Sequence, residues 1–317
     1  AMIFGLVSLM FLDTSINMAM QSFKMMVGDM VNEKQKGLAY SIQSFLCNAG
    51  SLVGFLFPFI FTWIGISNIA PQGVVPDSVI YSFYIGAAIL ILCVIYTTVK
   101  VKEMPPAEYA EYHGITEEEK KEKINMVKLL VKAPKAFWTV GLVQFFCWFA
   151  FMFMWTYTNG SVAANVFDAP TVETVVNGAS KVVLDTKSIQ YQNAADWVGV
   201  LFAVQAIGSV LWAVCIPMFK NRKLIYSLSL VLGGIGFIST YFVHNQYVLF
   251  ISFLLIGCAW AAMLALPFTI LTNALSGGHM GTYLGLFNGT ICIPQIVAAT
   301  LGGSILALFT PKGMLPP

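Results

Sequence analysis

Asp13, Asn17, Gln21 and Lys24 lie at i, i+4, i+8 and i+11 within FLDTSINMAMQSFKMMVGDM, residues 11–30, a largely apolar stretch. At helical pitch this spacing puts all four on one face. A carboxylate at the centre of a membrane helix costs about 2.5–3.5 kcal/mol on insertion scales, so it requires a partner or water in a cavity. The chemistry this stripe offers is uptake of a proton or cation at Asp13, with amides beside it. Lys24 also has a plain reading, a cation snorkelling toward the interface.

Four further stretches repeat the pattern: Tyr40, Ser44, Asn48 and Ser51; Gln144, Trp148, Trp155 and Asn159; Gln205, Ser209 and Trp212; and Asn288 with Gln295. A single stripe of this kind is explained by a helix–helix hydrogen bond. Stripes on five segments fit a shared polar cavity better. Amides and hydroxyls interleaved with Trp and Tyr suit a sugar, whose hydroxyls take the hydrogen bonds and whose C–H faces lie on the rings.

The elements that must position these residues are membrane helices. Hydrophobic residues make up 58% of the chain and charged residues only 10%, with mean hydropathy +0.77. A soluble chain of this length needs more charge to cover its surface. No Asp, Glu, Lys or Arg occurs in 37–76, 78–99, 136–167, 197–219 or 224–311. The last run exceeds one crossing of about 20 residues and breaks at HNQ (244–246) and NALSGGH (273–279), where turn-formers cluster. Eight spans result, at about 2–27, 38–64, 78–100, 136–159, 195–218, 224–243, 247–272 and 280–309. The fold class is all-α integral membrane. Pro267 and Pro294 fall inside the last two spans and GGIG (233–236) and GG (302–303) accompany them, features common in membrane helices.

Fourteen Lys and Arg fall in one set of loops and three in the other, which places the first set in the cytoplasm. Both ends of the sequence then face outward, an arrangement expected of a piece lacking spans at each end. Residues 101–135 read as a charged cytoplasmic linker with short helices, and residues 160–194 as an outward polar loop. Within that loop VVNGASKVV reads as a small hairpin turning at Asn177-Gly178. Asn159-Gly160-Ser161 matches a glycosylation sequon. The domains expected are 1–100, the linker 101–135, and 136–317.

Several functions are excluded or disfavoured. The net charge of +2 is too small to suggest a nucleic-acid partner. Cys47, Cys93, Cys147, Cys215, Cys258 and Cys292 all lie in apolar stretches and read as small buried hydrophobes. No phosphate-binding Gly-rich loop, no HExxH and no Ser/His/Asp set occurs, and His113, His244 and His279 fall in loops. The chain does not read as an enzyme, and no cofactor or metal is called for.

The sequence resembles the sucrose-type proton/sugar symporters of the major facilitator superfamily, and is similar to the related glycoside–pentoside–hexuronide cation symporters. In these transporters the fourth span carries an Asp, an Asn four residues on, a basic residue eleven on and a second Asp sixteen on. Here those are Asp13, Asn17, Lys24 and Asp29, with Lys24 where the family has Arg; Lys lacks the bidentate fork of Arg. The stretch LLIGCAWAAMLALPFTILTNALSGGHMGTYLGLFNGTICIPQI (254–296) resembles the tenth and eleventh spans. MFKNRKLIYSLSLVLGG (218–234) resembles a degenerate cytoplasmic loop, and MFMWTYTNGSVAANVF (152–167) the outer end of the seventh span.

The resemblance implies a partial major facilitator fold (6+6 helices), with about eight transmembrane helices numbered four to eleven. The segment 1–100 would end the first bundle and 136–317 would supply the second. It implies proton-coupled symport of a disaccharide or glucoside by alternating access in an inner membrane, by a monomer whose partners are sugar and bilayer. Asp13 and Asn17 would carry the proton. Asn48, Gln144, Trp148, Trp155, Asn159, Gln205 and Trp212 are the candidate sugar ligands. Lys24, Asp29 and Arg222 would serve a gate or loop anchor. A sodium-coupled glycoside carrier is the near alternative; those carriers usually need a second carboxylate in an early span, a part this sequence does not include. A non-transporting receptor or an inactive fragment is the alternative of another class.

Overall fold

The computed structural model describes residues 2–66, 77–102, 105, 107–108, 111, 126–176, 179–275 and 280–309. Ten helices and one hairpin are described: α1 Met2–Met30, α2 Glu33–Trp63, α3 Asp77–Lys100, α4 Met126–Val131, α5 Lys135–Asn165, β1 Thr171–Val176, β2 Ala179–Leu184, α6 Ile189–Cys215, α7 Arg222–Phe242, α8 Leu249–Ala274, α9 Met280–Phe287 and α10 Gly289–Phe309. The fold is that of an all-α, multi-pass membrane protein. Among the described residues, seven segments are long and apolar enough to cross a bilayer, the last formed by α9 and α10 together. α2, with 31 residues, has the length but lies outside that set. Apolar side chains exposed along α1 and α3, such as Phe4, Phe11, Phe83 and Leu92, suit contact with lipid rather than water.

The sequence breaks are where turn-formers place them. α6 starts under a Ser188 cap, whose Oγ accepts from the Tyr191 N–H at 3.2 Å. α7 starts under Asn221, whose Oδ1 accepts from the Leu224 N–H at 3.1 Å; both satisfy a donor that the first turn leaves open. The expected hairpin is present but longer, with register from Thr171↔Leu184 to Val176↔Ala179. Its turn, Asn177-Gly178, lies outside the described residues.

Two expectations change. α5 continues to Asn165, past the expected end near 159, and α6 begins at 189 rather than 195. No proline interrupts NGSVAAN. The helix ends only where the Ala169 N–H reaches back to the Ala163 carbonyl (2.9 Å) and Asp168 turns to φ 49°, an αL stop that Asp tolerates. The sequon at Asn159 therefore lies within a helix, with its Oδ1 buried, not in the open surface loop that a glycosylation site needs.

The chain divides into two compact units. Unit 1 comprises 1–40, 103–152 and 263–302; unit 2 comprises 41–102, 153–262 and 303–317. The chain passes from one to the other inside α2, α5, α8 and α10, and once at 102–103.

In unit 1 an aromatic cluster gathers α2, α5, α8 and α9. Phe137 lies edge-on to Tyr283 (6.0 Å) and Phe287 (5.7 Å), Phe287 edge-on to Phe268 (5.8 Å), and Phe268 is tilted against Tyr40 (6.2 Å). The Tyr283 hydroxyl donates to the Leu129 carbonyl at 3.2 Å, which ties α4 to α9. Gly28 lets α1 approach: a Cβ there would meet Met280 Sδ at 3.3 Å and Tyr40 Oη at 3.4 Å.

In unit 2, α8 lies between α6 and α7. A Cβ on Gly257 would stand 2.3 Å from the Gln205 carbonyl oxygen, and one on Gly208 2.6 Å from that of Leu254. The Ser209 hydroxyl donates to the Gly257 carbonyl at 2.7 Å. On the other side a Cβ on Gly233 would meet that of Ala259 at 2.3 Å, and the Ser239 and Ser252 hydroxyls bond at 2.7 Å. Small residues with hydroxyl bonds across them are how membrane helices pack closely without a hydrophobic drive.

Candidate functional site

The residues expected to act divide between the units. Unit 1 holds Asp13, Asn17, Lys24, Asp29, Gln144 and Trp148; unit 2 holds Asn48, Trp155, Asn159, Gln205, Trp212 and Arg222.

In unit 1, α1 is continuous from Met2 to Met30, so the stripe that begins at Asp13 shares one face. Asp13 is exposed and Asn17 partly so. The Asn17 amide donates to the backbone carbonyl of Asp13 at 2.9 Å, not to its carboxylate. That bond satisfies the amide inside an apolar helix and leaves the carboxylate unoccupied by it. The thiol of Cys292 on α10 lies within electrostatic reach of Asp13, and the Asn288 Nδ2 donates to the same sulfur at 3.6 Å. Gln21 has no described side chain.

Lys24 does not snorkel. It is 5% exposed, and its Nζ lies 3.9 Å from the Phe268 ring centre. Its carbonyl accepts from the Tyr40 hydroxyl at 3.0 Å. The Thr272 side chain and the Asp29 carboxylate lie within electrostatic reach of that hydroxyl. α1, α2 and α8 are thus joined at one cationic, aromatic spot. Phe268 has no polar atom, which is why a search for polar stripes passes over it.

Gln144 of α5 is fully buried. Its Nε2 donates to the Met263 carbonyl at 3.2 Å, and its Oε1 has no partner among the described residues. Trp148, one turn on, is also buried. Asn288 marks the break between α9 and α10. There the Ile291 N–H turns to Asn288 at 2.9 Å, and the freed Phe287 carbonyl is taken by the Thr290 hydroxyl at 2.7 Å.

In unit 2, Asn48 of α2 is 1% exposed. Its Nδ2 donates to the Ser44 carbonyl at 2.7 Å, and its Oδ1 has no partner among the described residues. The Ser44 hydroxyl donates to the Ala261 carbonyl at 3.1 Å and joins α2 to α8. Trp155 stands edge-on to Trp260 at 5.4 Å and is exposed at 41%. The Asn159 Oδ1 is buried and also without a partner among the described residues. Gln205 is buried at the Gly257 crossing. Trp212 is committed to packing, because its indole N–H donates to the Ser229 hydroxyl at 2.8 Å, which itself donates to the Ile225 carbonyl at 2.7 Å. Arg222 opens α7 with its Nη1 buried and without a hydrogen-bond partner among the described residues.

The arrangement is therefore a set of membrane helices with buried amide acceptors, exposed and buried indoles, and a carboxylate, Asp13, midway along an apolar helix. No curated protein matches the sequence. The family model described as the Major Facilitator Superfamily matches residues 3–180, more than half of the chain. The protein belongs to the Major Facilitator Superfamily and is a multi-pass membrane transporter.

Proposed function

We propose that the protein is a secondary active transporter that carries a disaccharide or glucoside together with a proton by alternating access. The observation that supports this most directly is Asp13, a carboxylate midway along the apolar α1, with Asn17 one turn on and Cys292 of α10 in its field. Protonation from outside would neutralise Asp13 and favour sugar binding and closure. Opening to the cytoplasm would release both. A membrane potential adds about 2.3 kcal/mol per charge per 100 mV to such a cycle.

The sugar ligands in this reading are Asn48, Gln144, Trp148, Trp155, Asn159 and Gln205, while Trp212, expected among them from its place on the stripe, is left to packing by its bond to Ser229. The unpartnered oxygens of Asn48, Gln144 and Asn159 support it, because a buried acceptor without a donor costs about 1–3 kcal/mol until something fills it. Lys24, Asp29 and Arg222 serve a gate or loop anchor. The reading places a monomer in an inner membrane.

Uptake of labelled sucrose and maltose, wild type beside Asp13→Asn, tests the proposal. Acid outside should drive accumulation by the wild type, while Asp13→Asn exchanges sugar without accumulating it. Accumulation by the mutant on a proton gradient would overturn the role of Asp13. Drive by a sodium gradient at constant pH would replace the coupling ion.

A further inference from the structure

Pro267 lies inside α8. It has no N–H, so the carbonyl four residues earlier, that of Met263, loses its helical donor. The Gln144 Nε2 fills that place at 3.2 Å. A carbonyl only accepts, so the nitrogen of the Gln144 amide must face Met263 and its oxygen must face away. That oxygen is buried and has no partner among the described residues, on a side chain with no exposure at all.

The supporting helix is built for this. Phe137, Gly141, Gln144 and Trp148 follow at helical spacing on α5. Phe137 packs on Phe287, and a Cβ on Gly141 would meet the Thr290 methyl at 3.0 Å. α5 therefore touches α8 at Met263, four residues before Pro267, and α10 at Thr290, four residues before Pro294. Proline-kinked helices stay intact in a membrane only where neighbours satisfy the freed carbonyls.

We infer that Gln144 is a positioning residue that holds the Pro267 kink of α8 through Met263, and that its Oε1 accepts a hydroxyl of the transported solute. One amide then senses both the occupant and the bend. Donation by a solute hydroxyl to the oxygen polarises the amide and strengthens the bond its nitrogen makes. The solute half rests on the sugar reading above; the kink half does not.

A double-mutant cycle tests it on the purified protein. Pro267→Ala returns an N–H to Met263. Gln144→Met should lower the melting temperature in the wild-type background and much less in the Pro267→Ala background. Should Gln144→Met alone fail to fold, recovery of folding in the double variant is the same result. Equal loss in both backgrounds, or no recovery, overturns the kink role. For the oxygen, KM for labelled sucrose should rise roughly tenfold with Gln144→Met in the Pro267→Ala background, at little changed maximal rate, as loss of one buried hydrogen bond implies. An unchanged KM overturns the solute role. If no sugar is transported by the wild type, the sugar reading fails, while the stability cycle still reports on the kink.

Discussion

The Lys24 ammonium lies 3.9 Å from the centre of the Phe268 ring. It joins α1 to α8 within unit 1, and Tyr40 of α2 closes the group by donating to the Lys24 carbonyl at 3.0 Å. A desolvated cation over an aromatic face is worth about 2 kcal/mol, against about 0.5–1 kcal/mol at an exposed site. Since Lys24 is 5% exposed, the larger value applies.

Phe268→Leu should therefore cost about 2 kcal/mol or more, and Lys24→Met a similar amount. The two losses should not add, because each removes the same contact. Lys24→Arg should retain most of the stability, since guanidinium also stacks on aromatic faces. Thermal unfolding of the four variants in detergent provides the check. Additive losses would show that Lys24 is held by other groups and that the ring contact is incidental.

The close crossing of α6 and α8 gives a sharper expectation. Gly257→Ala and Gly208→Ala each drive a methyl into a backbone carbonyl of the other helix, at 2.3 and 2.6 Å. Backbone cannot yield as a flexible side chain does, so each should cost about 1–3 kcal/mol or more. Gly234→Ala, on the neighbouring helix, meets nothing within 4 Å. It should be neutral or slightly stabilising, because alanine restricts the unfolded chain and favours helix. The fraction of monodisperse protein after a heat step separates the two classes.

Helix positions and the hairpin were legible because they rest on local signals. Apolar runs, the turn-formers at 244–246 and the Asn-Gly pair each act over a few residues. The stripes were legible as well, since Gln144 and Asn48 are indeed buried. What those side chains touch was not. Gln144 bonds a backbone carbonyl, Lys24 an aromatic face and Asn17 the backbone carbonyl of Asp13, and none of these contacts is made to a polar side chain that a stripe would mark. Only Met263 had a signal in the sequence. It lies four residues before Pro267, and any proline inside a helix names the carbonyl it frees. Gly233 and Gly236 of GGIG were readable as packing points only once Ala259 and Ser252 were known to face them.

Trp212 separates the two roles that one polar stripe can have. Its N–H is held by Ser229 at 2.8 Å, so its donor is spent inside the protein. Trp212→Phe removes that bond and leaves Ser229 still donating to Ile225. The expected loss is about 1 kcal/mol of stability, with KM for labelled sucrose unchanged. A several-fold rise in KM without loss of melting temperature would return Trp212 to the sugar site, through its ring face rather than its N–H. Trp155 is the contrasting case, exposed and edge-on to Trp260. Its ring is 41% exposed, so Trp155→Ala should raise KM more than it lowers stability. Uptake kinetics and melting curves on the same two preparations decide both assignments.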